Sequence, residues 1–248
     1  MRNTARILNT NIDKITMDEA VDFVLSALKN GEKRVIYTPN SEIVMLAYED
    51  SSFSDILNSA DLTVPDGIGV VYASRILKDP IKERVAGFDL VNAVFDRIKD
   101  TNYTVFLLGA SPGVAEKAKE NLEKMYPGIK IIGVHDGYFK DGQKVCDYIS
   151  SLSPDILLVC LGAPKQERWI YEHKDKISAK IFIGAGGSLD VFAGNVKRAP
   201  LAWQKMGLEW LYRLIKQPSR FFRMLSLPKF LITVIFKGKK LKEENNNA

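Results

Sequence analysis

A single carboxylate, Asp66, stands where the apolar run Leu62-Thr63-Val64 gives way, through Pro65-Asp66-Gly67, to the buried-helix pattern of Ile68–Leu77. An aspartate there has two uses. It can cap the helix, because Asp is favoured at N-caps and its charge suits the positive end of the helix. It can also accept a proton, because the carboxyl ends of strands are where α/β proteins keep their ligands. The residue alone leaves both open. Four other turns follow apolar strands and precede helices: Gly109-Ala110-Ser111-Pro112-Gly113, His135-Asp136-Gly137-Tyr138-Phe139, Gly162-Ala163-Pro164-Lys165-Gln166-Glu167 and Gly184-Ala185-Gly186-Gly187-Ser188-Leu189-Asp190. Small residues let a ligand approach the backbone, and unpaired N–H groups at a helix start favour phosphate. Several such turns along one sheet edge make a crevice whose default occupant is a nucleotide. Tyr138 could stack on a base. Asp190 could bind a ribose or base donor, or simply face water.

Some chemistries have no motif. There is no G-x-x-x-x-G-K-[ST] loop, no G-x-G-x-x-G opening a helix and no D-x-D metal clamp. His135 and His173 stand apart without metal-ligand spacing, so no metal or other cofactor is expected. A diphosphate handled without metal must be neutralised by cationic side chains and helix N-termini. Arg213, Arg220 and Arg223 are spaced by seven and three residues, which recur on one side of a helix, although Pro218 interrupts the segment. Three solvated arginines fit that spacing equally well.

The elements that must hold these turns are legible. RVIYT, LTV, YTVFLLG, IKIIGV, DILLVCLG and KIFIGAG read as short, near-continuous apolar strands. MDEAVDFVLSALKN, SEIVMLAYED, SFSDILNSA, FDLVNAVFDRIKD, PGVAEKAKENLEKMY, GQKVCDYISSL and KQERWIYEHKDKI read as helices, with Thr16 and Glu19 forming a capping box on the first. Apolar strands alternating with helices predict an α/β fold, a Rossmann-like and mostly parallel sheet covered on both faces. Residues 1–196 form this core, in two lobes of about 1–100 and 101–196, and 197–248 form a helical appendage.

Charge separates the same two parts. From Lys197 onward there are 12 Lys/Arg and 3 Asp/Glu, so of the net +5 the appendage supplies +9 and residues 1–196 carry −4. Two cysteines offer no disulfide framework, and Cys160, inside ILLVCLG, reads as a small buried hydrophobe of a reducing cytosol. No signal peptide and no spanning helix is expected. LPKFLITVIF followed by KGKKLK suits a helix lying in a membrane interface, lysines toward anionic headgroups. An ordinary helix docked on the core is the competing reading.

TPNSEIVMLA, ADLTVPDGIGVV, RVAGFDL, VFLLGASPGVAEKA, GYF, VCLGAPKQE, GAGGSLDVFAGNVKRAP and WLYRLIKQPSR, in this order over most of the chain, resemble the WecG/TagA/CpsF glycosyltransferases, glycosyltransferase family 26. The family makes bacterial cell-surface polymers. Its best-known members move N-acetylmannosamine from UDP-N-acetylmannosamine to N-acetylglucosaminyl-diphospho-undecaprenol in wall teichoic acid linkage-unit synthesis; others use related donors such as UDP-N-acetylmannosaminuronic acid. The resemblance implies an inverting, metal-independent transfer with Asp66 as base, Thr38, Asn40 and Gln166 orienting the sugar, and Arg84 meeting a phosphate. It implies that Gly109, Ala110, Gly137, Tyr138, Gly162, Lys165, Gly187 and Asp190 shape the UDP site. Arg213, Arg220 and Arg223 would close over the diphosphate at the inner face of the cell membrane, so that deleting the chain after Gln204 abolishes transfer and leaves a folded core. A peripheral membrane nucleotide-binding module without catalysis is the alternative from another class. Nucleic acid is not an expected partner, since the basic tail has no stacking platform. A homo-oligomer is left open, as no interface pattern stands out.

Overall fold

The computed structural model describes residues 2–216 and 226–238. Six parallel strands form the sheet: β3 (Arg34–Tyr37), β4 (Leu62–Thr63), β5 (Thr104–Gly109), β6 (Lys130–His135), β7 (Ile156–Cys160) and β8 (Ile181–Gly184), in the order β4-β3-β8-β7-β5-β6. They are the six apolar runs of the sequence. The helices between them are α1 (Met17–Asn30), α2 (Ser41–Glu49), α3 (Ser51–Asn58), α4 (Ile68–Ile76), α5 (Gly87–Ile98), α6 (Val114–Met125), α7 (Gly142–Leu152), α8 (Lys165–His173) and α9 (Ser188–Phe192). The capping box of α1 is formed: Thr16 accepts from the Glu19 N–H, and Glu19 accepts from the Thr16 N–H.

Alternation along each strand divides the core. Ile36, Leu107, Leu158 and Ile183 point to the face covered by α1, α5, α6 and α9. Val35, Phe106, Leu157 and Phe182 point to the face covered by α2, α3, α7 and α8. Both faces are dry, which is why these strands read as continuous apolar runs.

The chain opens with an antiparallel hairpin, β1 (Thr4–Ile7) and β2 (Thr10–Asp13), which the sequence pattern does not announce. Strands of four residues are too short to show a period, and this pair is held by tertiary contacts. Ile7 and Ile12 are fully buried, and Asp13 accepts the Thr63 N–H at 2.7 Å while pairing with Arg2. The clamp fixes the hairpin to β4, one turn before Asp66.

The C-terminal segment is helical, as expected: α10 (Leu201–Lys205), α11 (Glu209–Lys216) and α12 (Ser226–Thr233), the last continuing as a π-helical turn to Gly238. One face of α12 docks. Phe230 and Val234 join Ile7, Val44, Val70 and Leu77 in a third core cluster against the hairpin, α2 and α4. Its other face is open, with Ile232, Ile235 and Phe236 exposed. Among the described residues no helix is long and apolar enough to cross a membrane.

Candidate active site

All six parallel strands end on one edge, and the expected turns open there into a single cavity of about 910 Å³. Its wall includes Thr38, Asn40, Asp66, Arg84, Ala110, Gly137, Tyr138, Gly162, Lys165, Gln166, Gly187 and Asp190. The chain steps outward from β5 to β6 and then returns to β7 and β8, so the carboxyl ends of β5 and β7 flank a reversal of strand order. Such a reversal opens a crevice for ligand in parallel sheets.

Asp66 does not cap. The N-cap position of α4 is taken by Gly67, at φ 119°, and no side chain bonds to the helix start. The Asp66 N–H is instead tied to the carbonyls of Pro39 and Val64, which fastens the turn to the end of β3. Its carboxylate lies on the cavity wall, with Arg84 Nη2 at 3.7 Å from Oδ1. Arg84 donates from the same nitrogen to Glu209 Oε2 at 2.8 Å. The Arg84 Nε is buried with no hydrogen bond among the described residues.

The neighbours of Asp66 are committed in ways that limit what they can offer. Thr38 donates its hydroxyl to the Gly184 carbonyl at 2.8 Å, so toward a ligand it remains an acceptor. Asn40 caps α2, its Oδ1 accepting from the Ile43 N–H at 3.1 Å, and its amide nitrogen is the donor that is left. Gln166, 1% exposed, accepts from the Gly186 N–H at 3.0 Å and donates to Glu167 Oε1 at 2.8 Å. It therefore pins the glycine turn after β8 as well as lining the cavity.

On the opposite wall the backbone dominates. Gly109, expected to shape the site directly, is not itself on the cavity surface: at φ 132°, with Cys160 O only 2.3 Å from where a Cβ would stand, it lets β5 and β7 close together behind Ala110, and no other residue fits. Its turn spells G-x-S-x-G, the nucleophile-elbow pattern, but the strained residue is Ala110 at φ 60°, and Ser111 bonds to no histidine among the described residues. Ala110 instead receives the Gly137 N–H at 2.8 Å, joining the turns after β5 and β6. Gly187 heads α9, and a Cβ there would meet only open space. Tyr138, 72% exposed, stands at the rim. Lys165 donates to the Gly137 carbonyl at 2.9 Å and lies over Phe139, so its first duty is to hold the Tyr138 turn. Asp190, in the first turn of α9, lines the cavity. Cys160 is buried on the same wall, its thiol pushed up to about 12 by desolvation.

From α11 and α12, Glu209, Trp210, Ser226 and Leu227 complete the lining. Arg213 lies on α11, but its side chain, like Arg220 and Arg223 altogether, falls outside the described residues.

Two acids escape the sequence reading. Glu209 is the sole acidic residue between Lys197 and Lys242, a signal that was available in the sequence. Glu167 is fully buried, and desolvation raises its carboxyl to about 7. Nothing in KQERWIYEH separates it from an ordinary helix carboxylate.

The model of the glycosyl transferase WecG/TagA/CpsF family matches residues 5–244. The chain belongs to this glycosyltransferase family. WecG/TagA/CpsF relatives named N-acetylglucosaminyldiphosphoundecaprenol N-acetyl-beta-D-mannosaminyltransferase include one from Bacillus subtilis, 41% identical over 212 residues, covering 86% of this chain and 80% of the relative. A Bacillus spizizenii protein of the same name is 41% identical over 200 residues, covering 81% and 78%. A Staphylococcus aureus one is 35% identical over 246 residues, covering 97% and 96%, so the likeness to the family runs through the C-terminal segment as well as the sheet.

Proposed function

We propose that this member of the WecG/TagA/CpsF family transfers N-acetylmannosamine from UDP-N-acetylmannosamine to N-acetylglucosaminyl-diphospho-undecaprenol, forming a beta-1,4 linkage with inversion, in the synthesis of a wall teichoic acid linkage unit. The donor and acceptor are carried over from the relatives' activity. The observation that carries the catalytic part is the Asp66 carboxylate, on the cavity wall at the strand ends while Gly67 holds the N-cap position of α4.

In this reading the diphosphate lies along the wall of Ala110, Gly137, Gly162 and Gly187, near the N-terminus of α9, with Tyr138 over the base. The acceptor hydroxyl attacks the anomeric carbon from the face opposite the diphosphate. Its proton passes to Asp66, and the electron pair of the breaking bond leaves on the β-phosphate oxygen of UDP. Arg84, on the cavity wall, meets a phosphate oxygen; Asn40 donates to the sugar and Thr38 accepts from it. Arg213, Arg220 and Arg223 stabilise the leaving group in place of a metal.

The acceptor is confined to a bilayer, so the enzyme works at the inner face of the membrane. Every exposed Leu, Ile and Phe among the large hydrophobic residues described belongs to residues 201–236, whereas those of the core are Met125 and tyrosines. With the excess of lysine and arginine in the same segment, this suits a surface that rests on anionic lipid.

Incubating the protein with UDP-N-acetylmannosamine or UDP-N-acetylmannosaminuronic acid and a synthetic lipid-diphosphate N-acetylglucosamine tests the assignment. UDP release with the first donor, dependent on acceptor and giving a β-linked disaccharide, is expected. Nucleotide binding without transfer from any UDP-sugar would leave a recognition module and reject the proposal.

A further inference from the structure

Asp66 sits at one end of a row of five charged side chains that reaches into the C-terminal segment. Arg84 Nη2 is 3.7 Å from Asp66 Oδ1 and donates to Glu209 Oε2 at 2.8 Å. Arg198 Nη2 approaches the same Glu209 oxygen at 3.5 Å, and the Arg198 guanidinium pairs with Asp89 in the first turn of α5. Glu209 opens α11, and its side chain is only 7% exposed. Among the described residues the other charged groups on the cavity wall are Glu42, Lys165 and Asp190.

The row is sensitive because it is largely shielded from water. A guanidinium cannot shed its proton to escape burial, so one that loses its carboxylate must find another. Arg84 has a second carboxylate within reach, and it is Asp66. At 3.7 Å that contact is Coulombic and lies beyond hydrogen-bond range. A guanidinium released from Glu209 can close the gap to a charge-assisted pair, which makes the carboxylate a weaker base and occupies its lone pairs.

We propose that Glu209 is a positioning residue for the transfer reaction: by engaging Arg84 it keeps the guanidinium from closing on Asp66, so Asp66 is competent as a base only while α11 is seated. The inference rests on the reading of Asp66 as the base. It also gives the C-terminal segment a role apart from binding lipid or phosphate. When α11 leaves, Arg84 latches Asp66, and the donor is not spent without an acceptor.

The test is the pH dependence of kcat/KM for the full chain, with UDP-N-acetylmannosamine and a synthetic lipid-diphosphate acceptor. Asp66→Asn, Glu209→Gln, Arg84→Gln and the double variant are measured beside the wild type. Glu209→Gln is expected to move the acidic limb downward by about half a pH unit or more. It should also lower kcat by about tenfold or more, because a weaker base removes the proton less well. In the Arg84→Gln background the guanidinium that Glu209 holds is gone, so adding Glu209→Gln should move the limb less than it does in the wild-type background. If Glu209→Gln does not fold, Glu209→Asp, which keeps the charge and shortens its reach to Arg84, takes its place in both backgrounds and should move the limb in the same direction.

An acidic limb unmoved by Glu209→Gln, or moved as far by it in the Arg84→Gln background as in the wild type, overturns the inference even if rates fall, since a merely structural Glu209 would cost rate without touching a titration. Asp66→Asn separates the two levels. If it is inactive while the limb stays fixed, only the role of Glu209 fails. If it turns over at the wild-type rate, the base assignment fails, and this inference with it.

Discussion

Asp66 is placed by backbone and charge together: its N–H is tied to the end of β3, Gly67 takes the cap, and Arg84 faces its oxygen. Asn40 shows how a residue can hold two duties that a substitution will separate. Asn40→Asp keeps an oxygen for the Ile43 N–H and should leave the unfolding midpoint within about 0.5 kcal/mol, as Asn and Asp cap equally well. It also replaces the only remaining donor with an acceptor, so kcat/KM should fall by roughly tenfold or more. Glu167 gives a pH prediction. Its carboxyl titrates near 7 in the folded chain against an ordinary value of 4.5, because burial disfavours the charged form. Between those values the folded state holds a proton that the unfolded state has released, so stability falls as pH rises through about 7. Below the unfolded value the two states are equally protonated and the penalty vanishes. Glu167→Gln should flatten this decline and raise stability at pH 8, by up to about 3 kcal/mol, read from denaturant unfolding at pH 5 and 8. Asp66 was legible in the sequence because a carboxylate between an apolar strand and a helix has few uses. Which use it has was not, because capping depends on where α4 starts, and Gly67 decides that with its backbone. Glu167 was invisible because burial belongs to the fold.

At the scale of elements, the turn after β5 is held by contact rather than by side chains. Gly109→Ala sets a methyl group 2.3 Å from the Cys160 carbonyl at a φ that disfavours any side chain. It should separate the ends of β5 and β7, lowering stability by about 1–3 kcal/mol and weakening UDP binding more than it slows bound donor, as calorimetry and a KM-against-kcat comparison would show. The six strands and eight of the nine helices up to α9 follow from apolar runs and caps, because both faces of the sheet are buried and the pattern has nothing else to encode. The ninth, the single-turn helix after Gly187, begins inside the stretch read as the turn before a helix, since five residues show no period to fix its start. The hairpin of β1 and β2 was hidden for the same reason, and its order comes from Arg2, Asp13 and the packing of Ile7 and Ile12. The dock of α12 was likewise not decidable from LPKFLITVIF, where apolar residues lie on every side. The structure divides them, Phe230 and Val234 inward, Ile232, Ile235 and Phe236 outward.

For the molecule as a whole, that division means the C-terminal segment is packed on the core and still presents an apolar, basic surface. Phe230→Ala should cost about 3–5 kcal/mol if α12 unfolds with the core, and less if it lifts off alone. Phe236→Ser, on the open side of α12, should leave the unfolding midpoint unchanged and weaken sedimentation with anionic vesicles by roughly tenfold. Truncation after Gln204 removes Glu209, Phe230 and Val234 along with the basic residues, so its loss of activity would mix docking, tuning and lipid binding. The point variants separate them.

The most direct measurement is UDP release by Asp66→Asn under saturating donor and acceptor, beside its unfolding midpoint and its affinity for UDP. Asn keeps the size of the side chain and removes the proton acceptor. The rate should fall by about 10²–10⁴-fold while midpoint and UDP affinity hold. A folded, UDP-binding Asp66→Asn protein that releases UDP as fast as the wild type would contradict it.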